Sequence, residues 1–90
     1  MHTIWKQILQ PIDVQEIAIP RGSEILCARE QGDNICIWFR CDPNAIVEKR
    51  KIIINGTGHS TLSPNETRYI GTAILFGGSL VTHVFEPING

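Results

Sequence analysis

Ninety residues, a formal net charge of −1 and three cysteines exclude several classes at once. A chain of this size makes one domain, and its core buries only about 60% of the surface that the unfolded form exposes. The near-neutral charge argues against nucleic-acid binding driven by general electrostatics, which needs a basic domain.

The opening MHTIWKQILQP has no apolar h-region and no small-residue cleavage site, so it does not read as a signal peptide. No apolar run approaches the roughly 18 residues needed to span a bilayer. The expected location is a cytosol. Cys27, Cys36 and Cys41 fit that setting, because an odd set cannot pair fully within one chain. They are expected to be reduced and packed.

Apolar positions recur at period two in IWKQIL (4–9), with Ile4 and Ile8 on one face and Trp5 and Leu9 on the other. VQEIAIP (14–20) and EILCARE (24–30) repeat the pattern around a PRGS turn. QGDN (31–34) is a hairpin signal before NICIWFRC (34–41). In CDPNAIVEKR (41–50), Asp42-Pro43-Asn44 starts a turn and a single helical turn is expected after it. Lys49, Arg50 and Lys51 read as a solvated strand start. KIIIN (51–55) is apolar on both faces and reads as an internal strand.

A long loop, 55–67, then carries NGTGHST, and RYIGTAILF (68–76) and SLVTHVFE (79–86) flank Gly77-Gly78. A two-residue glycine loop opposes Phe76 to Ser79, and so Ile74 to Val81, Thr72 to His83 and Ile70 to Phe85. Both faces of that hairpin are then apolar, which makes self-association the economical cover for the second face. About seven short strands imply an all-β single domain over residues 1–90. Its expected form is a compact antiparallel β-sandwich or a partly open barrel, with the sandwich favoured and the strand order open.

The heptad NGTGHST holds the main candidate site. Gly56 and Gly58 let successive amides point into one concavity, an anion nest, and Thr57, Ser60, Thr61 and His59 add donors. The lysine and helix of a Walker loop are absent, and the same residue types also build ordinary surface turns. His83 lies on a strand and reads as a core histidine bonded to Thr72 or to backbone. His59-Ser60-Thr61 matches one half of the paired motif of two-histidine phosphoesterases, but His83-Val84-Phe85 does not supply the other half. The cysteines and histidines lack the close pairs of a structural zinc site, so no metal is expected. In a hairpin about Gly32-Asp33, Cys27 faces Trp38 and Arg40 faces Ile25. Arg29 and Arg40 then share the Trp38 face, a set that can stack on a base and hold its phosphates or simply pack. Asp42 is a turn residue or a contact for a ribose hydroxyl.

HTIWK (2–6), Asp42-Pro43, Gly56-Thr57-Gly58-His59, Tyr69-Ile70-Gly71-Thr72, Gly77-Gly78 and His83-Val84-Phe85-Glu86 follow one another in order. As a series they resemble a family of small β-rich phage and prophage proteins, nearly end to end. The resemblance implies a phage origin and action in the cytoplasm of a bacterial host; it transfers no chemistry. The combined expectation is a homo-oligomer that sequesters a small phosphorylated ligand of the cyclic nucleotide or cyclic ADP-ribose type, an immune signal of the host. Gly56, Thr57, Gly58 and His59 would hold phosphate, Arg40 or Arg68 would neutralise charge, and Trp38 would stack. No cofactor, metal, membrane or nucleic-acid partner is expected, and no catalysis. The alternatives are a protein-interaction module, as a virion accessory or host-protein inhibitor, and an enzyme cleaving a phosphodiester with His59 and His83.

Overall fold

The structure is a computed structural model that describes residues 1–88; residues 89 and 90, the end of the expected domain, lie outside the described residues. Seven strands follow in order: β1 Thr3–Leu9, β2 Val14–Pro20, β3 Glu24–Gln31, β4 Asn34–Cys41, β5 Val47–Gly56, β6 Thr67–Leu75 and β7 Leu80–Pro87. They form one sheet in the order β1-β4-β3-β6-β7-β5-β2. Neighbours are antiparallel except β3 and β6, which run parallel and share the register pair Ala28↔Gly71.

Alternation along each strand collects apolar side chains on one face. Leu9 of β1, Ile17 of β2, Ile37 of β4, Ile52 of β5 and Val84 of β7 all belong to a single buried cluster. β1 and β2 are the two ends of the sheet, so they can share a core only if the sheet curls. The fold is therefore a half-barrel, the second of the two expected architectures, with the core on its concave side. At one end of the open seam Gln15 clips the two outer strands together. Its amide nitrogen donates to the Gln10 carbonyl at 2.7 Å, and its oxygen accepts from the Gln10 N–H at 2.9 Å. A side-chain amide thus supplies the donor–acceptor pair that a backbone rung would have given.

Two bulges change the expected registers. β3 pairs Cys27 with Trp38 as expected, but the ladder slips at Leu26, so Arg40 opposes Glu24 and not Ile25. In the last hairpin Ile74↔Val81 and Thr72↔His83 hold, and a slip at Ile70 sets Tyr69 opposite Phe85. An extra residue on one strand moves every later neighbour by one, and period-two reading cannot register it. The hairpin turn also takes in Phe76 and Ser79, with φ of 51° at Phe76, 66° at Gly77 and 98° at Gly78. The expected helical turn after Asp42 is absent. Asp42 instead accepts the Asn44 N–H on its side chain at 3.0 Å and the Ala45 N–H on its carbonyl at 3.1 Å, so it is a turn residue.

Candidate functional site

Two of the heptad's amides are committed to backbone carbonyls rather than turned together into open space. The Thr57 N–H donates to the Val81 carbonyl at 3.1 Å and the His59 N–H to the Gly56 carbonyl at 3.1 Å. Gly56 to His59 therefore form a β-turn, with Gly58 at φ 88° in the third position, where a type II turn needs a positive value. The His59 ring folds back over Gly56, where an added Cβ would stand 3.0 Å from its Cε1 and Nδ1. Two of the amides expected to hold an anion are thus taken, Thr57 by β7 and His59 by the turn. The pocket beside it is about 190 Å³, and His59 and His83 are the only titratable residues lining it.

His83 is half-buried on the convex face of the sheet, not in the core. Thr72 Oγ1 lies 3.1 Å from its Nδ1, as expected, and Thr57 Oγ1 lies 2.8 Å from its Nε2. The two imidazoles do line one pocket, but both nitrogens of His83 are occupied by hydroxyls. That arrangement suits a structural bridge between β5, β6 and β7 better than a proton-transfer pair.

The remaining expected residues lie elsewhere. Trp38 and Arg40 are on β4, separated from β5 by β3, β6 and β7. At about 4.8 Å per strand that places them far outside the heptad pocket. Arg40 is also neutralised, since its guanidinium donates through Nε and Nη2 to Glu24. Arg29 is bonded to its neighbour Glu30. Cys27 is half-buried, Cys36 and Cys41 are buried, and all three are free. Among the described residues no cluster of three or more His, Cys, Asp and Glu side chains could hold a metal ion. No described helix is long and apolar enough to cross a membrane.

Arg68, the last of the expected residues, borders a different feature. β5 pairs with β2 from Val47 to Ile53, but with β7 only from Ile53 to Gly56. Continuing the Ile53↔Phe85 register by two residues would set Lys51 against Pro87. The Ile88 N–H donates to Glu66 on the β6 side at 2.9 Å, so residue 87 turns its backbone toward β5. Proline has no N–H to give there, and the ladder stops. The two strands part, and a cleft of about 620 Å³ opens between them.

Four cations border this cleft, Lys49, Arg50, Lys51 and Arg68, against the carboxylates of Glu16 and Glu86. Arg50 and Glu86 make its floor. Glu86, with a side chain 12% exposed, accepts from Arg50 Nε at 2.6 Å and from Arg68 Nη2 at 2.8 Å. Arg50 Nη1 also donates to the Ser23 carbonyl at 2.9 Å. Burial pushes the Glu86 carboxyl up, but the hydrogen bonds and charges of Arg50 and Arg68 outweigh it, and the balance holds it below the usual carboxylate range. Lys49 and Lys51 make no ion pair among the described residues. Both are exposed, and by the alternation fixed at Ile54, whose N–H donates to Asp13 beside β2, both turn their main-chain N–H groups toward the cleft. By sequence these lysines are only a solvated strand start, because their significance depends on β7, the neighbouring strand, ending in a proline.

Residues 1–90 match the model of a family described as a domain of unknown function, DUF7352. No curated protein and no solved structure matches the chain.

Proposed function

The chain belongs to the DUF7352 family, and on the geometry of its basic cleft we propose that it is a binding protein for a small phosphorylated ligand. One observation carries the reading: two lysines that make no ion pair among the described residues, and the outer half of Arg68, face a cleft of ligand size. A volume near 620 Å³ falls within the range of small-molecule sites, whereas the 190 Å³ pocket at the heptad does not. Lys49 and Lys51 would supply ammonium and main-chain donors to one phosphate. Arg68, 54% exposed and sharing Glu86 with Arg50, would offer its remaining donors to the same group or a second one. The Gly56–His59 turn then braces the sheet and does not hold phosphate. A phage origin, which the resemblance implies, would suit a nucleotide-derived host immune signal as the ligand, held out of circulation without being cleaved.

Calorimetric titration tests this with cyclic dinucleotides and cyclic ADP-ribose isomers. Micromolar binding that weakens as salt rises is the expected result, because exposed charges are screened within about 8 Å at physiological ionic strength. The double substitution Lys49→Ala with Lys51→Ala should weaken it by roughly a hundredfold, at about tenfold per charge-assisted bond lost. His59→Ala should leave it unchanged. No binding of any of these ligands, or loss of binding only in His59→Ala, overturns the proposal.

A second reading, a protein-interaction module, draws on the exposed Tyr69, Ile74 and Phe76 along β6 and its turn. A stoichiometric protein partner recovered with no small molecule bound would favour it.

A further inference from the structure

The half-barrel leaves two outer strands, β1 and β2, and the chain protects only one of them. β2 ends in Pro20, which removes a donor, and it carries the charge of Glu16. Its Gln15 side chain is committed to the clip with Gln10. These are ordinary defences of a free edge. β1 shares only the clip, which engages Gln10 just beyond its end. It keeps seven consecutive pairs to β4 with no slip, and it contains no proline. Every second residue along it directs an N–H and a C=O away from β4, and among the described residues no strand pairs with them, although the Ile8 carbonyl accepts from the Gln7 side chain at 3.1 Å.

Its side chains are apolar where an edge is normally charged. Ile4 and Ile8 are 58% and 49% exposed on the convex face, and Trp5 is 43% exposed on the other. Lys6 is the only charge on the strand, and its ammonium does not guard the edge. It donates to the Gln31 side chain of β3, two strands inward, and so lies over the sheet.

From these observations we infer that β1 pairs antiparallel with β1 of a second copy of this chain, joining two half-barrels into one continuous sheet. The strand is self-complementary about Lys6. A two-fold axis there sets Ile4 against Ile8 of the second copy, and Ile8 against its Ile4, so both isoleucines on each convex face gain an apolar neighbour. Trp5 meets Gln7 of the second copy on the other side. The two Lys6 side chains would repel if they met on the axis, but the bonds to Gln31 draw each one back over its own sheet. None of the residues that line the cleft between β5 and β7 belongs to β1, so the pairing is independent of the ligand reading.

Native mass spectrometry and light scattering on the purified protein test the pairing. A dimer at micromolar concentration is expected. Ile8→Lys should raise its dissociation constant by about tenfold or more, since it puts a charge against the apolar pair. Ile74→Lys, equally exposed but distant from β1, should leave the dimer intact. A monomeric wild-type protein, or a dimer lost in Ile74→Lys and kept in Ile8→Lys, overturns the proposal. Should Ile8→Lys fail to fold, amide exchange on the wild-type protein decides it. Alternate β1 amides should gain protection as concentration rises, and exchange that does not depend on concentration overturns the pairing.

Discussion

Gly71→Ala should cost this protein a large share of its stability and lower its yield in the soluble fraction. An added Cβ at Gly71 would stand 2.0 Å from the Ala28 carbonyl oxygen and 2.8 Å from the Ala28 carbon and nitrogen. Those atoms are backbone, so no rotamer can relieve the contact; β3 and β6 must move apart. The two strands meet at the single register pair Ala28↔Gly71, and that pair joins β1, β4 and β3 to β6, β7, β5 and β2. Glu30 and Asp33 reinforce the joint from the side, accepting the Ile74 N–H at 2.8 Å and the Phe76 N–H at 3.3 Å. Side chains thus replace rungs that the parallel ladder lacks. Overpacking of this kind costs typically 1–3 kcal/mol where side chains can yield, and roughly 3 kcal/mol or more is expected here. A domain of this size has a total stability of roughly 5–13 kcal/mol, so a large share would be lost. Thermal unfolding followed by circular dichroism should show the midpoint falling by about 12–24 °C. A midpoint within a few degrees of wild type would mean that the strands can part cheaply. Gly58→Ala is the contrast, with nothing within 4 Å of its added Cβ. Its positive φ should cost only about 1 kcal/mol by the same measurement.

The same glycine shows where sequence reading stops. Period-two alternation located all seven strands to within a few residues, because alternation is a property of each strand alone. Neither the bulge at Leu26 nor the one at Ile70 leaves a mark in the alternation, so the neighbours beyond each were misassigned by one residue. That slip replaced Glu24 by Ile25 opposite Arg40, and so gave a free cation where the fold has an ion pair. Strand order is longer-ranged still. Without it, Trp38 and Arg40 could be imagined beside the heptad, and Lys49 and Lys51 looked like ordinary solvated residues. Nothing in the sequence marks Gly71 beyond its place in the Tyr69–Thr72 motif; only a parallel neighbour crossing its backbone shows why a side chain cannot stand there. The heptad was legible as a turn but not as a brace. Which carbonyl its amides would meet depends on β7 lying alongside β5.

Glu86→Gln should cost about 2 kcal/mol at neutral pH and remove much of the fall in stability on acidification. Breaking a buried pair by removing one partner costs about 3–5 kcal/mol when both charges are sealed from water. This network is more open, with the Arg50 and Arg68 side chains 20% and 54% exposed, and water screens part of the loss. The amide keeps the shape of the carboxylate and can still accept from one arginine, but it leaves Arg68 without its counter-charge and Arg50 with only the Glu48 carboxylate 4.0 Å away. Acid dependence follows from the lowered pKa of Glu86. A group held below its ordinary value of 4.5 binds fewer protons folded than unfolded throughout the interval between the two values. Its contribution is therefore complete above pH 4.5, shrinks as pH falls toward the folded value, and is gone below it. Urea unfolding at a series of pH values should show wild type and Glu86→Gln furthest apart near neutrality and converging in acid. Parallel curves would mean that the carboxylate contributes shape and not charge. The same variant also separates stability from binding. Releasing Arg68 from its shared carboxylate adds positive charge to the cleft, so Glu86→Gln should bind an anionic ligand at least as tightly as wild type at temperatures where both are folded.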